Sequence, residues 1–413
     1  MSKRALLIAY HYPPVKGSSG LQRALKASRY LRGGGWDCDV LTVWPRAYEA
    51  TGDDEIKDIP DDVEVVRAIA FDAKRHLSLM GSYPRAAAVP DRWSSWAIDG
   101  VRRGKKMLAR KRYDAIWSTY PIYTAHRIGL ALSQHSGLPW VADCRDQMTE
   151  PGYPSDPWLF KRVRALENEV VHNAQAVVFT APGAQAMYAS RYPDLPADRW
   201  QLIENGYDEA AFDGLPERDS APAPGEPLTL VHAGILYPAE RDPKPFFQAV
   251  AALKATPEFS ANPFRVILRA TGHDEVYRQM LIDLSIDDVV RLEPGVPYRE
   301  ALGEMLRADG LVIFQAASCN HQIPAKAYEY LRAGRPILAL TDATGNTAGV
   351  LRDNQQRHIC DLTDAAAIER CLKTFLEAVR AGEGGADRQS AERYSRKSQT
   401  LQLAALFDRL SGK

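Results

Sequence analysis

The sequence predicts an α/β protein made of two Rossmann-like, doubly wound parallel-sheet domains facing each other across a cleft, and three observations lead there. The chain has 413 residues, too many for one ordinary core and suited to two domains of ~200 residues each. Short apolar runs alternate with helical patterns almost from end to end, as βαβ connections and parallel sheets require. Near the middle, residues 213–227 are rich in Pro, Gly, Ala, Ser and acidic side chains, which reads as a connector.

Taken in order, the first half offers strands at Ala5–Tyr10, Asp37–Val43, Val63–Ala68, Ala115–Ser118, Trp140–Asp143, Ala176–Thr180 and Gln201–Ile203. Helical patterns between them include Leu21–Leu31, Trp93–Lys111, Tyr123–Ser136 and Pro157–His172. The second half repeats the alternation with strands at Leu228–Ala233, Phe264–Ala270, Val289–Leu292, Gly310–Phe314, Ile337–Leu340 and His358–Cys360. The run RAGEGGADR, Arg380 to Arg388, breaks the pattern, and a last helix spans about Ser390 to Leu410. The expected organisation is one domain over 1–212, a linker over 213–227, a second domain over 228–386 and a terminal helix within 387–413. In such sheets ligands bind at the C-terminal ends of the strands.

Composition narrows the function. Hydrophobic residues make up 45% and charged residues 25%, and 52 Lys plus Arg balance 52 Asp plus Glu. That is ordinary for a globular protein and gives no global electrostatic case for nucleic acid. The five cysteines (Cys38, Cys144, Cys319, Cys360, Cys371) are scattered without CxxC spacing, so they read as reduced thiols in a cytoplasmic protein. The opening MSKRALLIAYHYPP has an apolar run from Ala5 to Tyr10 only, too short for a signal peptide core or a bilayer span. A basic run, RRGKKMLARKR from Arg102 to Arg112, is either a solvated helix face or a contact for the anionic cytoplasmic face of the inner membrane.

The segment QIPAKAYEYLRAGRP, Gln322 to Pro336, is the most informative. Pro324 suits a helix entry, AKAYEYLRA is rich in helix formers, Gly334 suits the residue after the helix, and Pro336 prevents its continuation. The helix start offers N–H groups and partial positive charge to a phosphate. Glu329, four residues from Ala325 and three from Lys326, projects to the same side. A carboxylate there could accept hydrogen bonds from both hydroxyls of a ribose.

Other segments leave two readings open. Gly17, Ser18, Ser19 and Gly20 form a turn opening a helix, which could meet a phosphate or simply connect strand to helix. WVADCRD places Asp143, Arg145 and Asp146 at a strand end, as site residues or as an ion-pair lock. His11 ends the first strand and could face the same edge; His126 lies within a helix and carries no functional weight. Gly234 follows the strand that opens the second half, and Arg241 and Lys244 precede a helix start, where cations call for an anion or for solvent.

Together these segments resemble retaining glycosyltransferases of the GT-B fold, family 4, over nearly the whole chain, and within it bacterial enzymes of cell-surface polysaccharide assembly. The carriers are the PPVKGSSG turn, ADCRD, ENGYDEAAF, the Arg241/Lys244 loop, PAKAYEYLRAGRPILAL and the final helix. The resemblance implies that Glu329 holds the donor ribose and that Arg241 and Lys244 neutralise the leaving diphosphate. It also implies that Gly17–Gly20 lie near the phosphates and acceptor, that Asp143 or Asp146 lines the acceptor side, and that the final helix returns to the N-terminal domain. The first Glu of the family's E-x7-E pattern falls on His321, a position that faces the donor sugar in relatives.

The expected chemistry is transfer of a sugar from a nucleotide-diphosphate donor to a glycan or lipid-linked acceptor, with no metal and no further cofactor. The diphosphate would be held by Arg241, Lys244 and the helix start at Pro324, Ala325 and Lys326. The alternatives are a nucleotide-sugar epimerase of the same fold and a non-catalytic partner subunit.

Overall fold

The computed structural model describes residues 3–412 apart from 17–19, 54, 79–81, 219–222, 224 and 239–240. Everything up to Glu204, together with Arg396 onward, forms one compact unit, and Asn205–Ser395 forms the second. The division falls after Glu204, so the ENGYDEAAF segment from Asn205 onward groups with the second unit.

The first unit contains strands β1 (Lys3–Ala9), β2 (Trp36–Val43), β3 (Val65–Ala68), β4 (Ala115–Thr119), β5 (Trp140–Arg145), β6 (Ala176–Phe179) and β7 (Trp200–Leu202). They form one parallel sheet in the order β3-β2-β1-β4-β5-β6-β7. Both faces are covered by helices, so the central strands are apolar throughout. Ala5 to Ala9 have no exposed surface. Helix Arg396–Ser411 packs on helix Gly20–Tyr30 and on the 3-10 turn Leu31–Gly34 that follows it, where a Cβ added at Gly34 would meet Ala404 Cβ at 2.5 Å. Trp36 completes that contact, with its ring 5.1 Å from Phe407 and its Nε1 donating to Asp408 at 2.9 Å.

The second unit contains β8 (Leu228–Ala233), β9 (Phe264–Arg269), β10 (Val290–Glu293), β11 (Gly310–Phe314), β12 (Ile337–Leu340) and β13 (Ile359–Cys360). They form a parallel sheet in the order β10-β9-β8-β11-β12-β13. Its core gathers Leu230, Val266, Leu268, Val312, Leu338, Leu372 and Phe375.

Each expected strand is present, with ends shifted by a residue or two. One expectation is corrected: the last helix is not continuous from Ser390. A short helix at Arg388–Ala391 and a 3-10 turn at Glu392–Tyr394 precede it, and Ser395 is extended (φ −64, ψ 144) before the helix Arg396–Ser411. Tyr394 is the physical reason. Its ring is buried 4.8 Å from that of Tyr328, which anchors the turn inside the second unit, while Ser395 bridges to Tyr207.

In each sheet the strand order reverses once, between β1 and β4 in the first unit and between β8 and β11 in the second. Open α/β sheets take ligands at that switch point, outside the carboxyl ends of the strands. Residues following β1, β4, β5, β8 and β11 are therefore the ones to inspect.

Candidate functional site

In the second unit, the switch point is occupied by Gly234 after β8 and by the helix Ala325–Ala333 on the β11–β12 connection. That helix begins at Pro324 (φ −64, ψ 136) and ends at Gly334 in the left-handed region (φ 73), as its sequence predicts. Lys326 folds back so that its Nζ donates to the Ala233 carbonyl at 2.5 Å. Gly234 has φ 131, and a Cβ there would collide with Lys326 Nζ. Two separate constraints, backbone and space, thus require glycine at this position.

Lys326 is half-buried, and its pKa is pushed down to about 8 by burial and by nearby Arg241, with Glu329 partly offsetting them. Arg241 donates to the Ile235 carbonyl at 3.2 Å and stacks over Tyr237, while its Nε is buried without a hydrogen-bond partner among the described residues. Among the described residues, no carboxylate forms an ion pair with Arg241, Lys244 or Lys326. A desolvated Lys326 and an Arg241 whose Nε is buried, neither in an ion pair among the described residues, lie beside a helix N-terminus, an arrangement suited to an anion. Glu329 is half-buried one turn along the helix and accepts a hydrogen bond from Tyr298 at 2.8 Å. Behind them His232 is fully buried between the Val312 and Gly234 carbonyls, at 2.9 and 3.2 Å. Burial, with Lys326 nearby, holds its pKa well below the usual value.

The structure therefore groups Gly234, Arg241, Lys326 and Glu329 in one place, with Pro324 and Ala325 at the helix start. It does not bring in every expected residue. Lys244 is exposed, and its backbone N–H bonds Asp242 at 3.0 Å. His321 is exposed in the turn before the helix.

The first unit's strand-end residues behave differently. Asp143 is fully buried, and its two oxygens accept from Arg23 Nε at 2.7 Å and Nη2 at 2.8 Å, with Thr119 adding a third bond at 2.8 Å. Arg23 also caps the Ile203 and Glu204 carbonyls. Of the two readings of the WVADCRD segment, the lock describes Asp143, but its partner is Arg23 and not Arg145. A carboxylate so saturated is not free to act on a ligand. Asp146 is only partly covered, and burial raises its pKa, with Arg145 opposing the shift. Arg145 has φ 48 at a register shift between β5 and β6. Gly20 begins the helix beside His11 and Arg145; Gly17, Ser18 and Ser19 lie outside the described residues.

Sequence reasoning missed Arg23, Tyr298 and His232. A histidine inside the apolar run LTLVHA was a usable signal for the last. Nothing local marks Arg23 or Tyr298, which matter only through partners 120 and 31 residues away. Among the described residues, no group of three or more His, Cys, Asp or Glu is placed to hold a metal ion. No described helix is long and apolar enough to cross a membrane.

Comparison with known proteins agrees with this fold. Residues 20–206 match the glycosyl transferase 4-like domain model. The whole chain superposes on sucrose-phosphate synthase from Thermosynechococcus elongatus with a TM-score of 0.67 at 15% identity, covering 99% of both chains. HepE from Anabaena, determined in complex with UDP and glucose, gives 0.64 at 12% identity, covering 99% of this chain and 100% of that one. WaaG, a glycosyltransferase involved in lipopolysaccharide biosynthesis, gives 0.62 at 14%, covering 99% and 100%. No curated protein sequence matches the chain. These likenesses establish the GT-B fold.

Proposed function

We propose that this chain, a GT-B-fold protein whose residues 20–206 are a glycosyl transferase 4-like domain, is a retaining glycosyltransferase. It moves a sugar from a nucleotide-diphosphate donor to a glycan or lipid-linked acceptor in cell-surface polysaccharide synthesis. The observation that carries this reading is the pair of cations beside a helix start, a desolvated Lys326 and an Arg241 with buried Nε, neither in an ion pair among the described residues.

Breaking the bond from the sugar's anomeric carbon to phosphate leaves charge on the diphosphate. Arg241, Lys326 and the helix N-terminus at Ala325 stabilise that charge where it develops, with Lys244 at the loop's far end. The acceptor hydroxyl forms the new bond on the same face, and its proton passes to the departing phosphate oxygen. Glu329 takes the ribose hydroxyls, and His321 lies towards the donor sugar. Neither a metal nor a further cofactor enters this scheme. HepE's UDP and glucose complex supports a nucleotide sugar as co-substrate.

The same reading places the protein at the cytoplasmic face of the inner membrane. In the helix Trp96–Arg110, Ile98 is 80% exposed, and exposed Lys105 and Lys106 have no ion-pair partner among the described residues. Each such cation contributes about 1 kcal/mol near an anionic surface.

Purified protein given a panel of nucleotide sugars should turn one over, and Arg241→Ala or Lys326→Ala should cut turnover by at least ~10²-fold. Near-normal turnover in both variants overturns the assignment. Interconversion of the donor sugar without an acceptor would instead identify an epimerase.

A further inference from the structure

The far edge of the second sheet brings together two thiols that the donor chemistry leaves unused. Cys360 ends the edge strand β13, and Cys371 lies in the helix Ala365–Arg380 that follows it. Side chains alternate along an extended chain, so His358 and Cys360 project to the same face. On the helix, Cys371 and Phe375 are one turn apart on one face. The His358 ring meets the Phe375 ring edge-on at 5.2 Å. Because the helix packs back along the strand it follows, that ring contact sets Cys371 opposite Cys360. The two thiols lie against one another, both half-buried at the margin of the second core.

This contact divides their acidity. The Cys360 thiol lowers the Cys371 pKa, burial opposes the shift, and the His358 ring adds to the lowering. The same contact raises the Cys360 pKa, and burial, Asp361 and Asp364 add to the rise. A thiolate beside a thiol is what a peroxide-sensitive cysteine and its resolving partner need. Cys38 and Cys144 are unlike them, since both are buried and burial pushes their thiols up. Together with His358, the pair is not placed to hold a metal ion.

We propose that Cys360 and Cys371 form a reversible modification site, which hydrogen peroxide oxidises to an intramolecular disulfide clasping β13 to the helix Ala365–Arg380. The Cys371 thiolate attacks the O–O bond, giving a sulfenic acid and hydroxide. The Cys360 sulfur then attacks the sulfenic sulfur, and the S–S bond forms as the hydroxyl leaves with the Cys360 proton as water. Two electrons pass from the sulfurs to the peroxide. Excess small-molecule thiol reverses the step by exchange and leaves as its own disulfide. β13 has only two residues, paired to β12 through Ala339–Ile359 and Leu340–Cys360, so the clasp adds a covalent tie at the sheet edge. Nothing in this inference depends on the sugar-transfer reading.

The test treats the full chain with hydrogen peroxide, blocks the remaining thiols with an alkylating agent, and reads the product by thiol titration in denaturant and by peptide mass mapping. Titratable thiols should fall from five to three, with Cys360 and Cys371 joined in one linked peptide pair, and dithiothreitol should restore all five. Cys360→Ser should stop at a sulfenic acid on Cys371, which dimedone traps. Cys371→Ser should lose the reaction at both positions. A cross-link through any other cysteine, oxidation confined to Cys319, or five thiols surviving the peroxide each overturns the proposal. The wild-type peptide map decides this even if a serine variant fails to fold. Nucleotide-sugar turnover is no part of the readout, so failure here and failure of the sugar-transfer reading stay distinguishable.

Discussion

The strand-end sites of the two units differ in how their charges are settled. In the first unit the strand-end carboxylate Asp143 is fully buried and saturated by Arg23, so the charge there is spent on holding the fold. In the second unit Lys326 is desolvated and Arg241 has a buried Nε, and neither forms an ion pair among the described residues, so their charge remains available. Similar sheets thus carry opposite settlements. A buried pair stabilises when complete and fails when halved, whereas unpaired cations weaken the empty protein and reward an anion.

The largest expected effect tests the lock. Arg23→Met strands a buried Asp143 and should cost about 3–5 kcal/mol in denaturant unfolding. Replacing both partners, Arg23→Met with Asp143→Leu, should recover most of that loss. A cost under about 1 kcal/mol for the single variant would remove the contrast between the units.

Acid should come next. Burial holds His11 and His126 at about 4, so the unfolded chain protonates them near 6.5 while the folded chain resists. Stability is then lost as pH falls from 6.5 towards 4, by roughly 3 kcal/mol per histidine at most. Asp91, raised to about 6 by burial, opposes this slope because the folded form takes up its proton first. A stability profile that stays flat from pH 6.5 to 4 in His126→Gln and wild type alike would refute the histidine account.

Gly234→Ala probes the second unit with a single methyl group. A side chain at φ 131 and against Lys326 Nζ should cost about 1–3 kcal/mol and displace the lysine, weakening nucleotide-sugar binding. Donor affinity equal to wild type would show that Lys326's position is immaterial.

The smallest effect is a pH trend. Lys326 is charged below about 8 and neutral above it, so donor affinity should fall as pH rises through that value. The limiting slope is about 1.4 kcal/mol, or tenfold, per pH unit, and Lys326→Met should lack it. Titration calorimetry between pH 7 and 9.5 reads both.

How much of this was legible in the chain depends on the range of the interaction. The strands were readable because each is an apolar run long enough to be buried on both faces, as LTLVHA and GLVIF are. The helix Ala325–Ala333 was readable to its last residue, because Pro324 and Gly334 act on the backbone locally. The final helix was misjudged at its start, since only the burial of Tyr394 against Tyr328 decides where the turn lies.

By itself the sequence determined the alternating α/β pattern, the phosphate-suited helix and the position of Glu329 on its face, all consequences of neighbours within a few residues. Only the tertiary structure decided that Asp143 belongs to Arg23, that Gly234 makes room for Lys326, and that His11 meets Arg145. Those pairings join residues about 90 to 130 positions apart in the chain. Their partners are chosen by which strands lie side by side, and strand order is a property of the folded sheet that no local pattern encodes.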